Sequence, residues 1–160
     1  LSLRLAPGLD AVRPEECDTV SIAGMGEQTI AEILQAAPWT ADGVHLLLLQ
    51  PMTMVYELRQ WLWAHGYAIE RETPCREERR HYVVLSVRGG AQAKQVPVSQ
   101  CAFSPALLGA PGAADYLRHL LTREQRALAG MEQARDRDDT RLAAQRALVH
   151  EIEQALEGLT

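Results

Sequence analysis

Between Asp18 and Val87 the chain alternates strand and helix patterns, and that alternation limits the fold more than any other feature. "DTVSIA" (18–23) reads as a strand. A helix follows over 26–37, with Ile30, Ile33, Leu34 and Ala37 at helical spacing and Pro38 ending it. "VHLLLLQ" (44–50) is a continuous apolar run of the kind found in strands buried on both faces, and Pro51 breaks it. Val55, Leu58, Leu62 and His65 mark a second helix, closed by Gly66. "YAIERE" (67–72) and "RHYVVLSV" (80–87) then read as strands joined by a turn at "TPCREE". Strand-helix-strand-helix-strand implies parallel pairing through crossovers. The last two strands have no helix between them and are expected to form an antiparallel hairpin. The opening "LSLRL" (1–5) also alternates apolar and polar residues and is expected to be a strand, with "APGLD" as the turn after it.

Beyond residue 101 the strand patterns stop. Leu117, Leu121, Glu124, Leu128 and Met131 form one heptad-like stripe, and Leu142, Gln145, Val149, Ile152, Leu156 and Leu159 form another. "RDRDDT" (135–140) separates them, with Asp138 or Asp139 as the N-cap. Two helices joined so briefly pack antiparallel. The expected organisation is an α/β domain over 1–100 and a helical hairpin arm over 101–160.

Composition excludes several classes. At 160 residues, 47% apolar and 23% charged, the chain suits a globular domain with an appendage. A net charge of −5 argues against a dedicated nucleic-acid binder but leaves room for a local basic patch. Lys94 is the single lysine, so the basic residues are almost all Arg. Cys17, Cys75 and Cys101 are an odd number without a CxxC pair, which fits a reducing cytoplasm better than a disulfide framework or a zinc site. The five histidines show no ligand spacing, so no metal is expected. No apolar run reaches the roughly 18 residues a membrane helix needs, and no secretory leader is visible.

The strand-to-helix junction "SIAGMGEQTIAEIL" (21–34) raises the functional question. Glycine there permits unusual dihedrals, or lets a ligand approach where a side chain would block it. In open α/β sheets ligands bind at the carboxyl ends of strands. Taken alone, Gly24-Met25-Gly26 is a plain turn, and Gln50-Pro51 is the end of a buried strand. Arg76, Arg79 and Arg80 lie among Glu77 and Glu78, as at a solvated hairpin tip. Trp61, beside Leu58 and Leu62, is expected in the core, and Trp63 at the sheet's margin or against the arm.

A parallel sheet finished by an antiparallel hairpin resembles the class I S-adenosylmethionine-dependent methyltransferase fold. Four stretches in order resemble the bacterial TrmK family of tRNA adenine-N1 methyltransferases. They are "IAGMG" (22–26), "LLLQPM" (47–52) with "LRQWLWAHGYAI" (58–69), "HYVVLSV" (81–87), and "FSPALL" (103–108) leading into paired helices. The resemblance implies a Rossmann-like sheet lacking its first strands and carrying a coiled-coil arm. It implies S-adenosyl-L-methionine as cofactor and tRNA as partner, in the cytoplasm. Gly24, Met25, Gly26, Gln50 and Pro51 are then the methyl-transfer residues. Ala6, Pro7, Gly8, Ala23 and Gly24 are cofactor-binding. Arg76, Arg79, Arg80, Arg118 and Arg126 contact RNA, with Arg123, Arg135, Arg137, Arg141 and Arg146 of the arm as further candidates.

By the same resemblance the chain starts at the family's third strand, "RLAPGL" (4–9), and about 60 to 70 residues that hold the methionine and ribose of the cofactor would precede it. Weak cofactor binding by these residues alone is the corresponding expectation, with self-association through an exposed sheet edge at 1–5. The chain departs from the family at Glu27, where a second glycine is usual, at Met52 in place of Asn, and at Ala6-Pro7 in place of Gly-Asn. Glu27 suits a helix start but repels phosphate, and Met52 lacks the hydrogen bonds Asn offers a base edge. A non-catalytic relative or fragment acting as an interaction module is the alternative, and a class I methyltransferase for another substrate is a third reading.

Overall fold

The computed structural model describes residues 1–134, 136 and 138–159. Its centre is a four-stranded sheet of β1 (Thr19–Met25), β2 (Leu46–Pro51), β3 (Ala68–Glu77) and β4 (Arg80–Arg88), in the order β1-β2-β4-β3. β1 and β2 are parallel, joined through α1 (Glu27–Ala36), while β4 runs antiparallel to both β2 and β3. α2 (Val55–Ala64) connects β2 to β3. Parallel pairing and the terminal hairpin follow the sequence expectation. With β4 inserted between β2 and β3, β3 is the outer strand on that side of the sheet.

The apolar run of β2 lies at the centre, where Leu47 and Leu49 are completely buried. Val83, Leu85 and Val87 of β4 meet them from the next strand, and Ile30, Leu34, Leu58 and Leu62 cover the sheet from α1 and α2. Leu117, Leu120, Leu148 and Ile152 from the C-terminal helices belong to this same cluster, so the core continues from the sheet into the helices.

Three expectations need correction. Residues 1–5 form no strand: Leu1, Leu3 and Leu5 are fully exposed. A strand requires a neighbour to satisfy its backbone, and none adjoins this segment among the described residues. Arg4 holds it instead, donating to the Ala11 carbonyl at 2.6 Å and to both Glu16 carboxylate oxygens at 2.6 and 2.9 Å. That pairing, with the Arg13 backbone N–H, depresses the Glu16 carboxyl to about 2. Among the described residues β1 is therefore an edge strand of the sheet, with β3 at the other end. Second, the hairpin turns at Glu78-Arg79, because β3 continues through Pro74 and Cys75. β3 is the outer strand, where a residue lacking N–H is tolerated. Third, Trp63 is the buried tryptophan of α2 and Trp61 is only half-buried, stacked on His65. The inward face of α2 is Leu58, Arg59, Leu62 and Trp63.

After a short α3 (Pro105–Leu108), α4 (Ala113–Gln133) and α5 (Asp139–Gly158) pack against each other. Arg146 to Glu132 and Gln125 to Glu153 pair across them, so the helices run antiparallel. Asp138 caps α5 through the Thr140 and Arg141 amides. Within the apolar seam, Gln145 Nε2 donates to Glu124 Oε2 at 2.9 Å and to the Glu124 carbonyl, satisfying a carboxylate that is otherwise buried. Arg135 and Arg137 lie outside the described residues.

Candidate functional site

The carboxyl ends of β1 and β2 lie side by side because the strands are parallel and in register, with Ala23 opposite Gln50. The register slips between Ala23 and Met25, so Gly24 bulges out of the ladder. Its φ is +75°, a conformation glycine adopts without penalty and other residues adopt at about 1–2 kcal/mol. Space is not the constraint, since a Cβ there would meet nothing within 4 Å. Gly26 differs: its φ of −67° is ordinary, and a Cβ would find Thr53 Oγ1 at a comfortable 3.6 Å. The turn therefore requires glycine at 24 but not at 26.

Gln50 links the two strand ends. Its Oε1 accepts from the Gly24 N–H at 3.0 Å, supplying the partner that the bulge removes from the ladder. Its Nε2 donates to the Pro51 carbonyl at 3.0 Å and to Met52 Sδ at 3.5 Å. The Met52 N–H donates to the Met25 carbonyl at 2.9 Å. Thr53 Oγ1 donates to Glu27 Oε2 at 2.7 Å, so the carboxylate at the start of α1 is held by the neighbouring loop. These bonds fix the backbones of 24–27 and 50–53 as one rim. Three methionine side chains, Met25, Met52 and Met54, stand 40 to 45% exposed along it and its continuation. Polarizable thioethers suit contact with a flat aromatic ligand. Met54 itself has φ +40° where it begins α2, so the loop is conformationally restrained there as well.

Gly24, Met25, Gly26, Gln50 and Pro51 are thus brought together, with Pro51 buried as the last residue of β2. Ala23 joins them as the Gln50 partner. Ala6, Pro7 and Gly8 form a turn whose Gly8 (φ +50°) packs on α1, where a Cβ would press on Ile33 at 3.1 Å. Arg76, Arg79 and Arg80 are exposed around the hairpin tip, and Arg76 Nε donates to the Glu78 carbonyl. Arg118, Arg126 and Arg141 are exposed on the arm, whereas Arg123 and Arg146 pair with Glu124 and Glu132.

Sequence reasoning missed two features. One is the buried Arg59–Glu72 pair between α2 and β3. The other is a stacked imidazole pair, His81 of β4 on His119 of α4, beside a cavity of about 40 Å³ whose far wall is Pro51 to Val55. The pairing of a strand residue with one 38 positions later leaves no local signal. Among the described residues no cluster of three or more His, Cys, Asp or Glu has metal-binding geometry, and no helix is long and apolar enough to cross a membrane.

Parallel strands joined by a helix, a glycine bulge at their carboxyl ends and a closing antiparallel hairpin define a Rossmann-like class of α/β domain. The chain belongs to the methyltransferase domain family, whose model matches residues 1–85. It is 36% identical over 90 residues to the tRNA (adenine(22)-N(1))-methyltransferase of Bacillus subtilis, a match covering 56% of this chain and 38% of that protein. That sequence match thus spans less than half the length of the curated relative. The B. subtilis M1A22 tRNA methyltransferase TrmK has the same fold, with a TM-score of 0.77 at 24% identity over 97% of this chain and 70% of that one. Streptococcus pneumoniae Sp1610, a putative tRNA (m1A22) methyltransferase, gives 0.76 at 28% identity over 96% of this chain and 68% of that one. These matches bear out the resemblance to the TrmK family.

Proposed function

We propose that the chain is the catalytic-loop and arm portion of an S-adenosylmethionine-dependent tRNA methyltransferase that modifies the N1 nitrogen of an adenine. The observation that carries this reading is the Gly24–Gln50 tie at the carboxyl ends of two parallel strands. It fixes a rim with glycine at 24 and 26 at the position where a Rossmann-like sheet receives its ligand. Gly26, which its own turn does not need, gains a reason if a ligand passes over it.

The chemistry asks little of side chains. Adenine N1 carries a lone pair and the sulfonium is a strong electrophile, so alignment and exclusion of water account for much of the acceleration. Gln50 orients the rim, Met25 and Met52 form its soft apolar surface, and backbone groups at Gly24, Gly26 and Pro51 line the transfer path. Ala23 and Gly24, with the Ala6-Pro7-Gly8 turn, border the cofactor, which supplies the methyl group when bound. A Streptococcus pneumoniae relative 27% identical to this chain was solved with S-adenosyl-L-methionine, which supports that choice of cofactor. The target base must leave its stack to present N1.

In this reading residues 1–100 carry the transfer site. Residues 101–160 form a coiled-coil arm that, with Arg76, Arg79, Arg80, Arg118 and Arg126, meets tRNA phosphates in the cytoplasm. The open edge of β1 is a place for self-association. Incubation of the complete gene product with tRNA and S-adenosylmethionine, followed by nucleoside mass spectrometry, tests the proposal. N1-methyladenosine is the expected product. A methyl group found on another base, or on no RNA, would contradict it.

A further inference from the structure

The His81–His119 stack is not explained by packing. The rings lie 4.0 Å apart at 19°, and His81 Nε2 is 3.3 Å from Asp115 Oδ2. The His81 side chain is 12% exposed, and its Nδ1 is buried without a hydrogen-bond partner among the described residues. A phenylalanine would fill the same space without leaving a polar atom unsatisfied, which costs about 1–3 kcal/mol. His119, by contrast, is exposed on the outer side of the stack. Arg123 follows it by one helical turn, and Arg76 sits directly opposite His81 across the hairpin.

The charged groups around His119 come from three elements. His81 of β4, Arg76 of β3 and Arg123 of α4 are the basic groups; Asp115 of α4 is the facing carboxylate, and Glu124 of α4 pairs with Arg123 through Nε and Nη2. The Pro51–Val55 wall brings no charge. Burial first, and then His81 and Arg123, hold the His119 imidazolium below its usual range. In a chain of net charge −5, these basic groups from three elements meet at one place, against the segment that continues the Gln50 rim.

We infer that His119 and Arg123, with Arg76 alongside and His81 positioning the His119 ring from beneath, seat a backbone phosphate of the RNA strand next to the base delivered to the rim. The inference rests on the RNA-methylation reading and adds to it a specific point of strand contact. A phosphodiester is a small permanent anion, and hydrogen bonds from a guanidinium and an imidazolium are of the strong, charge-assisted kind. Binding places negative charge against His119, so the ring takes up one proton from solvent as the RNA docks. Asp115 keeps His81 oriented through Nε2 and stays outside the phosphate contact.

The test follows the imidazole Cε1–H signals of the protein by NMR through a pH titration, with and without a short single-stranded oligoribonucleotide. RNA should raise the His119 midpoint by at least about half a pH unit, a differential well within what a neighbouring charge produces. His65 and His150 should not move. His119→Gln and Arg123→Gln should each weaken RNA binding at least about threefold, and the arginine change should reduce the salt slope by about one. Unchanged melting temperatures would separate these effects from misfolding. Full RNA affinity in both variants with His119 unmoved would overturn the phosphate seat and leave the methyl-transfer reading standing. A His119 shift without any methylated adenine would do the reverse. An equal shift with an oligoaspartate peptide would overturn the assignment to RNA.

Discussion

Arg59 and Glu72 form a bidentate ion pair inside the protein, with Nε to Oε1 at 2.9 Å and Nη2 to Oε2 at 2.7 Å, both side chains essentially unexposed. The pair is fully hydrogen-bonded. Arg59 Nη1 also donates to the Ala102 and Cys101 carbonyls at 2.7 and 3.2 Å, and Glu72 Oε1 accepts from the Ser104 N–H at 3.0 Å. One arginine therefore clamps α2, the hairpin and the segment leading into the arm. Removing one partner strands a buried charge, at about 3–5 kcal/mol. Glu72→Ala or Arg59→Ala should lower urea stability by that amount and loosen the arm's docking. An Arg59→Met, Glu72→Leu double variant should recover much of the loss. A single variant as stable as the unaltered protein would contradict the clamp.

His45 gives the fold a pH dependence. Its Nε2 lies 2.9 Å from the Pro14 carbonyl and its Nδ1 2.8 Å from Asp42 Oδ2, so both nitrogens face acceptors. The Pro14 hydrogen bond, opposed by burial and reinforced by Asp42, raises the imidazolium above its ordinary value of 6.5. The folded state therefore binds this proton more tightly than the unfolded state. Its stabilisation is complete below about 6.5 and is lost as pH rises through the raised folded value. The melting-temperature difference between the unaltered protein and His45→Gln should be largest near pH 5.5 and shrink toward pH 8.5. A difference that grows with pH would refute the assignment.

The cysteines should react in a fixed order. Cys101 is fully buried, and burial pushes its thiol up to about 11. Its Sγ donates to the Pro97 carbonyl at 3.2 Å. Cys75 is exposed on β3. Thiol reactivity follows thiolate access, so Cys75 should be alkylated first and Cys101 only on unfolding, as read by mass spectrometry of timed samples. Early labelling of Cys101 would contradict its packing.

The β1 edge should make the protein associate. Among the described residues β1 pairs only with β2, which leaves one side of its backbone open. Sedimentation at increasing concentration should show self-association, and charged or proline substitutions along β1 should reduce it. A monomer at every concentration would remove this edge as an interaction surface.

What was legible in the sequence was whatever repeats locally. Leu46 to Leu49 identified the central strand because a strand buried on both faces needs no alternation. Pro38, Gly66 and Asp138 marked helix ends through their own backbone chemistry. Residues 1–5 misled because alternation records a preference, whereas a strand exists only beside a partner. Arg59 and Glu72 carry no local signal, since nothing near either in sequence reveals that they will be buried together. At the site, an unusual backbone dihedral was legible from residue type, and Gly24 has it at the glycine turn. That Gln50 would complete it, and that Gly26 would be dispensable to the turn, depended on the register between two strands 26 residues apart.

Gly26 therefore offers the most direct measurement of the central claim that this rim is where a methyl group passes. Alanine fits its φ and its space, and at a helix N-cap should cost at most about 1 kcal/mol. Methylation of tRNA adenine and melting temperature should be measured together on the complete gene product, unaltered and as Gly26→Ala. The account predicts a rate lowered at least about tenfold, a barrier rise of about 1.4 kcal/mol, with the melting temperature nearly unchanged. Gly26→Ala methylating tRNA at the unaltered rate would contradict it and reduce the Gly-Met-Gly segment to a turn.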